Sequence, residues 1–567
     1  MTHTIHICIA ATLAMLWACP PTASGRTGGD DDHGRQQADR VQHTLSAQED
    51  RYHAAMADVS LASSKTLHAN PASAHLFSTT DIARHIRRAM IYAATTAARG
   101  EGDFLPYEGR GSADRRIGAY GEHTTPHSGT LSGSLQYAQG THRNIGWSAM
   151  RLPELYLPYI STDSCGGHFR FDSYYAEGGY GFAMKQWTLG AKASFYGEQA
   201  HRLTDPRALN TTTWLRFGLG AARHMGSHLL MLDAGYGRNK QHMRLRYWRP
   251  GQQDRFFVCY GFGLYDTRQS GVAFGKSRMY YVDELSARLQ YLSPRNGRLR
   301  LHASLAYDHD HMKTEESDIY NLYESRTHRL SPLLRLTYAP QDYWHFDLMA
   351  TADIALRKGY ENIIEEYLID KENNIYDFRT IDTRQNYSRN TATATAALRA
   401  ARQCGSVELS MQGGLTADRY DERYKRQAWR IGVRRLTPHV MAGACWQGRR
   451  DVVGLSLLYA RQHTGSHHYN VSMQNSQLPH LDFQQAFAPY AYRCANLHKV
   501  AVSATWQHRL GRMDGGMSAR CYMTRGNRIA DVSYTGDIGF ASSAPMIQPA
   551  PDTHREQWGE LTVYLLL

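Results

Sequence analysis

The chain has 567 residues, with 64 Lys and Arg against 52 Asp and Glu, 36 Tyr, 48 Gly and a mean hydropathy of −0.54. Past the N-terminus no run of 18 apolar residues occurs, which excludes a helical membrane protein, and an aromatic content of 11% excludes a disordered chain. The net charge of +12 does not imply nucleic acid as a partner, because no recognition motif accompanies it.

In chain order, the first element is an export signal. "IHICIAATLAMLWAC" is an apolar core of signal-peptide length, followed by the small-residue stretch "PPTASG", so residues 1–24 read as a signal peptide cut after Ser24. A lipoprotein signal ending at Cys19 is the alternative, disfavoured by Trp17. Residues 25–79 carry the polar run "GGDDDHGRQQAD" and read as a periplasmic tail or short plug. The stretch 83–97 suits either a helix or a first strand, and we read it as a strand.

Beyond residue 110 runs of about ten residues alternate between apolar and polar, each pair joined by a turn. Leu299, Leu301, Ala303, Leu305 and Tyr307 share one face of such a run, and Arg298, Arg300, His302 and Ser304 share the other. The tight turns "HMGS" (224), "SPRNG" (293), "APQD" (339), "QCGS" (403), "QGRRD" (447) and "LGRMDG" (510) carry the Gly, Pro, Asn and Asp that hairpins need. Between hairpins the connections 199–210, 241–275, 311–325, 358–384, 464–492 and 528–553 read as long and polar. Short turns at one end and long loops at the other describe a transmembrane antiparallel β-barrel with short periplasmic turns and long extracellular loops, spanning residues 80–567. Eight hairpins (112–139, 167–198, 211–239, 278–310, 326–357, 385–420, 433–463 and 494–527), a first strand at 83–97 and a last at 554–567 give 18 strands, or 16 if 83–97 is helical. Tyr291, Tyr338, Trp187, Trp344, Trp446 and Trp506 stand near turns, as an interfacial aromatic girdle requires.

The polar faces send Lys192, Arg216, Asp233, Arg298, Arg300, Arg335, Asp347 and Asp353 into the lumen. A salt-bridged, plugged interior and a mixed-charge channel favouring anionic or sugar-like solutes both fit this set. No catalytic or metal site is expected. In "YDHDHMK", His309 and His311 lie on one strand face and Asp308 and Asp310 on the other, and the adjacent His467 and His468 point apart. The eight Cys have long, irregular spacings without C-x-x-C, so zinc and thioredoxin chemistry fail and no cofactor is expected; a bridge such as Cys494–Cys521 stays open. At the C-terminus "GELTVYLLL" sets Leu561, Val563, Leu565 and Leu567 on one face, a closing strand facing lipid, with Trp558 placed as an outer-girdle ring.

The region 155–210, through Pro158, Tyr159, Asp163, Gly166, Gly167, Asp205, Pro206 and Arg207, resembles a family of bacterial outer-membrane β-barrel proteins of unknown function. The resemblance spans most of the chain after about residue 70 and implies the fold rather than an activity. Asn70-Pro71-Ala72 is similar to a tripeptide of outer-membrane long-chain fatty-acid transporters, which adds a hydrophobic transporter as an alternative. A TonB-dependent receptor is disfavoured, since the segment before the first strand is short for a full plug and such barrels have 22 strands.

The expected protein is therefore a non-catalytic barrel in the outer membrane of a Gram-negative bacterium. It acts as a channel or as the membrane component of an uptake or surface complex, or as a structural or binding barrel whose lumen is blocked. Its partners are outer-membrane lipid, the barrel-assembly machinery, and a surface lipoprotein or transport partner. By resemblance to known barrels, the assembly machinery recognises a C-terminal strand that usually ends in an aromatic residue, and Leu567 departs from that.

Overall fold

The computed structural model describes residues 65–76, 86–102, 105–125, 128–246, 256–266, 277–316, 321–471, 487–527 and 553–567, apart from single positions within these ranges, together with Trp248 and Ile529. The signal-peptide reading of residues 1–24 falls outside them.

Eighteen antiparallel strands close into one barrel. The first three are β1 (Ile86–Glu101), β2 (Gly111–Thr125) and β3 (Gly129–Ile145); a short interior strand β4 (Ser161–Asp163) precedes β5 (Gly167–Met184), β6 (Trp187–Arg202), β7 (Arg207–Met225) and β8 (His228–Arg246). Two more interior strands, β9 (Phe256–Gly261) and β10 (Leu264–Asp266), pair with each other, and β9 also pairs with β4 in a separate three-stranded sheet. The wall continues through β11 (Ser277–Leu292), β12 (Leu299–Glu316), β13 (Tyr323–Gln341), β14 (Trp344–Asp370), β15 (Ile375–Cys404), β16 (Val407–Tyr424), β17 (Trp429–Gln447), β18 (Asp451–Asn470), β19 (Asn496–Leu510), β20 (Met513–Asn527) and β21 (Thr553–Leu566).

The stretch 83–97, read as a first strand, is strand over its described residues, and β1 makes the seam. It pairs with β2 on one side and with β21 on the other, Ala93 opposite Val563 and Ile91 opposite Leu565, and the Leu567 N–H donates to the Ala89 carbonyl at 2.7 Å. Closure gives every strand two partners, which hydrocarbon demands because it offers no water to an unpaired backbone group. Outward positions are apolar: Ile91, Leu305, Phe217, Leu561 and Val563 are all exposed, where lipid would lie. Trp187, Tyr338, Trp446 and Trp506 project outward near the short turns, forming the expected girdle. Gly226, Gly405 and Gly511 take positive φ in those turns, a conformation that L side chains resist.

Several readings need correction, and the open Cys494–Cys521 bridge is settled. Trp558 is not an outer-girdle ring; it shares the inward parity of Glu560 and Thr562 and is buried with Met441, Leu458 and Tyr522. Cys521 projects outward from β20 as a free thiol while Cys494 is buried in the interior, so the wall lies between them. The connection 358–384 is mostly strand: β14 and β15 run on past their neighbours as a two-stranded arm, Ile363 opposite Asp382 and Leu368 opposite Tyr376. Polar composition suggested a loop there, but backbone pairing continues, and Arg379–Glu365 (2.7 Å) and Tyr367–Asp377 (3.0 Å) contacts reinforce the ladder. Likewise only 203–206 and 317–322 separate strands where 199–210 and 311–325 were read as loops.

The seam register is directly testable. Ala93→Cys combined with Val563→Cys puts two outward thiols on facing residues, within the reach of a disulfide. Oxidation of the folded protein should cross-link them and change the mobility of the denatured chain, whereas Ala93→Cys with Leu305→Cys should stay unlinked.

Candidate functional site

The interior is filled from the long-loop end by the chain itself. Residues 146–166, between β3 and β5, turn inward, and Ala149, Met150, Tyr156, Tyr159 and Ile160 are completely buried against inward side chains of the wall such as Met243, Tyr280, Met312 and Tyr323. A second inward piece, the short helix α1 (Ala488–Arg493), packs with Phe487 and Phe262 on Tyr387, Tyr424, Trp429 and Ile431.

Polar side chains of the wall hold the first loop in place. Arg202 of β6 pairs with Asp163 at 2.7 Å, both fully buried, and also donates to the Pro206 carbonyl at 2.6 Å. The other Asp163 oxygen accepts the N–H groups of Cys165 (2.9 Å) and Gly166 (3.0 Å), and Gly166 sits at φ +61° to allow that turn. Arg151 on the loop donates from Nε to Glu198 at 2.8 Å and lies over the Phe171 ring at 4.0 Å. Asn210 donates to the Ala149 carbonyl at 3.0 Å, Tyr156 donates to Asn239 at 2.6 Å, and the Ser161 N–H donates to the Tyr280 hydroxyl at 3.1 Å. Arg357 of β14 donates to the carbonyls of Glu154 (2.9 Å) and Leu157 (3.1 Å). Tyr159 stacks on Tyr323 at 4.8 Å, and Gly359 leaves room for its ring, since a Cβ there would meet the Tyr159 hydroxyl at 2.6 Å.

The residues that carried the resemblance therefore cluster where this loop is anchored. Asp163, Gly166 and Gly167 form its exit, Pro158 and Tyr159 its buried turn, and Pro206 receives the Arg202 hydrogen bond. Asp205 accepts from Arg207 at 3.0 Å, and the Arg207 guanidinium lies 4.7 Å above Trp248.

The short-turn end is occupied by residues 65–76. Asn70, Pro71 and Ala72 fit against the inward glycines Gly190, Gly218 and Gly220, where a side chain on Gly190 or Gly220 would collide with them. Ala72 N–H donates to the Asn70 carboxamide at 2.9 Å, Asn70 donates to the Leu232 carbonyl at 3.1 Å, and His75 bonds Thr130 at 2.9 Å. Ala72 and Leu76 are buried against Ala222, Leu229 and Met231.

Between these two pieces lies a cavity of about 940 Å³ with charged walls. Lys192 pairs with Glu177 at 2.7 Å, Arg216 with Glu284 at 3.0 Å while stacking on Trp214 at 3.7 Å, and Asp233 lines the same space beside Arg288. Thus three of the residues placed in the lumen from sequence meet at one cavity. Arg335 and Asp347 instead pair with each other at 2.9 Å, with Arg399 3.6 Å from Asp347. Asp353 accepts from Ser331 at 3.0 Å with Arg329 at 3.7 Å, and Arg300 follows the inward parity of β12. Arg298 is a correction: it stands in the turn before β12, exposed, because the strand begins one residue later. Asp308 and Asp310 line the cavity, while His309, opposite them on the strand, stacks on His328 and His311 reaches Glu324 at 3.0 Å.

At the upper end of the cavity three guanidiniums converge, and sequence reading missed them. Arg389 of β15 pairs with the Glu154 carboxylate, Arg357 holds the backbone of the same loop, and Arg493 of α1 lies 4.3 Å above the Tyr420 ring. Alternation alone would have sent Arg357 and Arg389 inward; nothing in the sequence pointed to Glu154, which sits in an irregular connection. Desolvation opposes charge on Glu154, but Arg389 and Arg357 outweigh it and hold its carboxyl below the usual carboxylate range. Among the described residues no cluster of three His, Cys, Asp or Glu is placed to hold a metal ion.

The model of a family of unknown function, DUF6850, matches residues 83–559. The chain belongs to this family. A comparison with curated proteins finds no match. Among solved structures, the DUF6850 chain is similar to the copper transporter OprC (10% identity, TM-score 0.38, covering 85% of this chain and 83% of that one). It is also similar to the FrpB iron transporter from Neisseria meningitidis (8%, 0.38, 84% and 81%) and to BauA, the ferric preacinetobactin receptor from Acinetobacter baumannii (9%, 0.34, 85% and 79%).

Removing one member of a buried ion pair strands the other charge and costs about 3–5 kcal/mol. Arg202→Ala should accordingly lower the unfolding free energy of the detergent-refolded barrel by about that amount in urea titration, whereas Arg384→Ala, whose Asp382 partner is solvent-exposed, should change it by under about 1 kcal/mol.

Proposed function

We propose that this protein is a non-catalytic outer-membrane barrel of a Gram-negative bacterium that admits a small polar solute, acting in an uptake complex with a surface or periplasmic partner. The observation that supports this most is the charged cavity lying between two inward pieces of the same chain. A compartment bounded by two inward pieces of chain suits passage in steps rather than free diffusion. The charged lining supports a polar solute over an acyl chain, although Asn70-Pro71-Ala72 lies at the short-turn mouth. Its volume falls within the roughly 300–1,000 Å³ typical of small-molecule sites.

The second reading, a binding barrel with a permanently blocked lumen, draws on the same loop: its buried ion pairs and the burial of Ala149, Met150, Tyr156, Tyr159 and Ile160 favour a fixed stopper.

Planar-bilayer conductance separates the two. On the uptake reading the intact barrel is silent alone and carries current when a small charged solute such as citrate is added, provided the protein shows heat-modifiable migration. A folded barrel that stays silent with and without added solute would favour the permanently blocked reading.

A further inference from the structure

The upper end of the cavity has the composition of an anion site whose ligand is supplied by the protein. Arg357, Arg389 and Arg493 bring three positive charges to one end of the cavity. Carboxylates lie near them on Asp310 of β12, Glu422 of β16 and Glu154 of the loop. Glu422 is fixed from below by the hydroxyls of Tyr387 and Tyr420, the latter at 2.6 Å, and stays part of the wall. Glu154 is different. It belongs to the inward loop rather than to the barrel, and its side chain is 59% exposed to the cavity while that of its partner Arg389 is 10% exposed.

Two of the three arginines are held independently of the Glu154 carboxylate, while Arg389 pairs with that carboxylate directly. Arg357 is fixed by Thr327 at 3.0 Å and by two loop carbonyls, and Arg493 by the Pro489 carbonyl at 3.1 Å and the Tyr420 ring. A guanidinium presents a planar fork matched to a carboxylate, and preorganised forks are what planar recognition of such groups uses. We propose that Arg357, Arg389 and Arg493 form the binding site for a small carboxylate-bearing solute, and that Glu154 of the inward loop occupies this site in its absence. A solute carboxylate that takes the place of Glu154 removes one of the loop's side-chain anchors, which couples binding to release of the stopper. The proposal names the substrate class for the uptake reading, but its test is binding and needs no transport.

Citrate is the probe and glucose the uncharged control, titrated calorimetrically into the full-length protein refolded in detergent. The wild-type protein should bind citrate and not glucose. Glu154→Gln removes the internal competitor and should bind citrate about tenfold more tightly, and Arg389→Gln should bind it at least about tenfold more weakly. Heat-modifiable migration verifies folding, and if Arg389→Gln does not fold, Glu154→Gln decides alone, because a folding defect cannot raise affinity. Equal or weaker citrate binding by folded Glu154→Gln, or no citrate binding by either protein, overturns the proposal. A barrel that binds citrate as expected yet stays silent in its presence would sink the uptake reading and leave the site standing.

Discussion

A backbone N–H or C=O facing hydrocarbon has no water to turn to, and each one left unpaired costs several kcal/mol. That constraint sets the whole architecture. The strands must close, so β1 must meet β21, and the leucine-rich end of β21 must place its odd-numbered residues outward and Trp558, Glu560 and Thr562 inward. Once the seam is fixed, register propagates strand to strand around the wall, because a slip of one residue would exchange every lipid-facing and lumen-facing side chain.

Closure creates the second problem. Barrels of eight strands can be filled by their own side chains, but those with 16 to 18 leave a water-filled lumen. This chain fills much of that space with its own connections, and bringing backbone inside a barrel requires hydrogen-bond partners for it. Asn210, Tyr280 and Arg357 of the wall supply them, and Arg202 with Asp163 locks the exit of the loop. Of these residues Arg357 also lines the cavity, so one side chain both satisfies the inward backbone and faces the enclosed space. A stopper held through polar contacts can be released by a competing polar group, whereas one held only by apolar packing has no such handle.

The alternating pattern and turn chemistry made the barrel, its strand count and its lipid face legible in the sequence. The inward faces were legible as parity: Lys192, Arg216 and Asp233 line the cavity, and Arg298 stands in the turn because its strand starts one residue later. What periodicity could not show is where irregular chain goes. Residues 146–166 have no repeat, and nothing in their composition distinguishes a loop projecting into solvent from one folded into the lumen. Glu154 was invisible for that reason. The 358–384 arm failed in the opposite sense: polar side chains on both faces hid a ladder that extends beyond the membrane, where neither face needs to be apolar.

The central claim is that residues 146–166 fold into the barrel and are held there. Amide hydrogen exchange of the refolded protein measures this most directly. The account predicts that amides of 148–163 exchange as slowly as those of the neighbouring wall strands β5 and β6, with Arg202→Ala accelerating them selectively. Exchange of 148–163 in the wild-type protein at the rate of an open surface loop would contradict it.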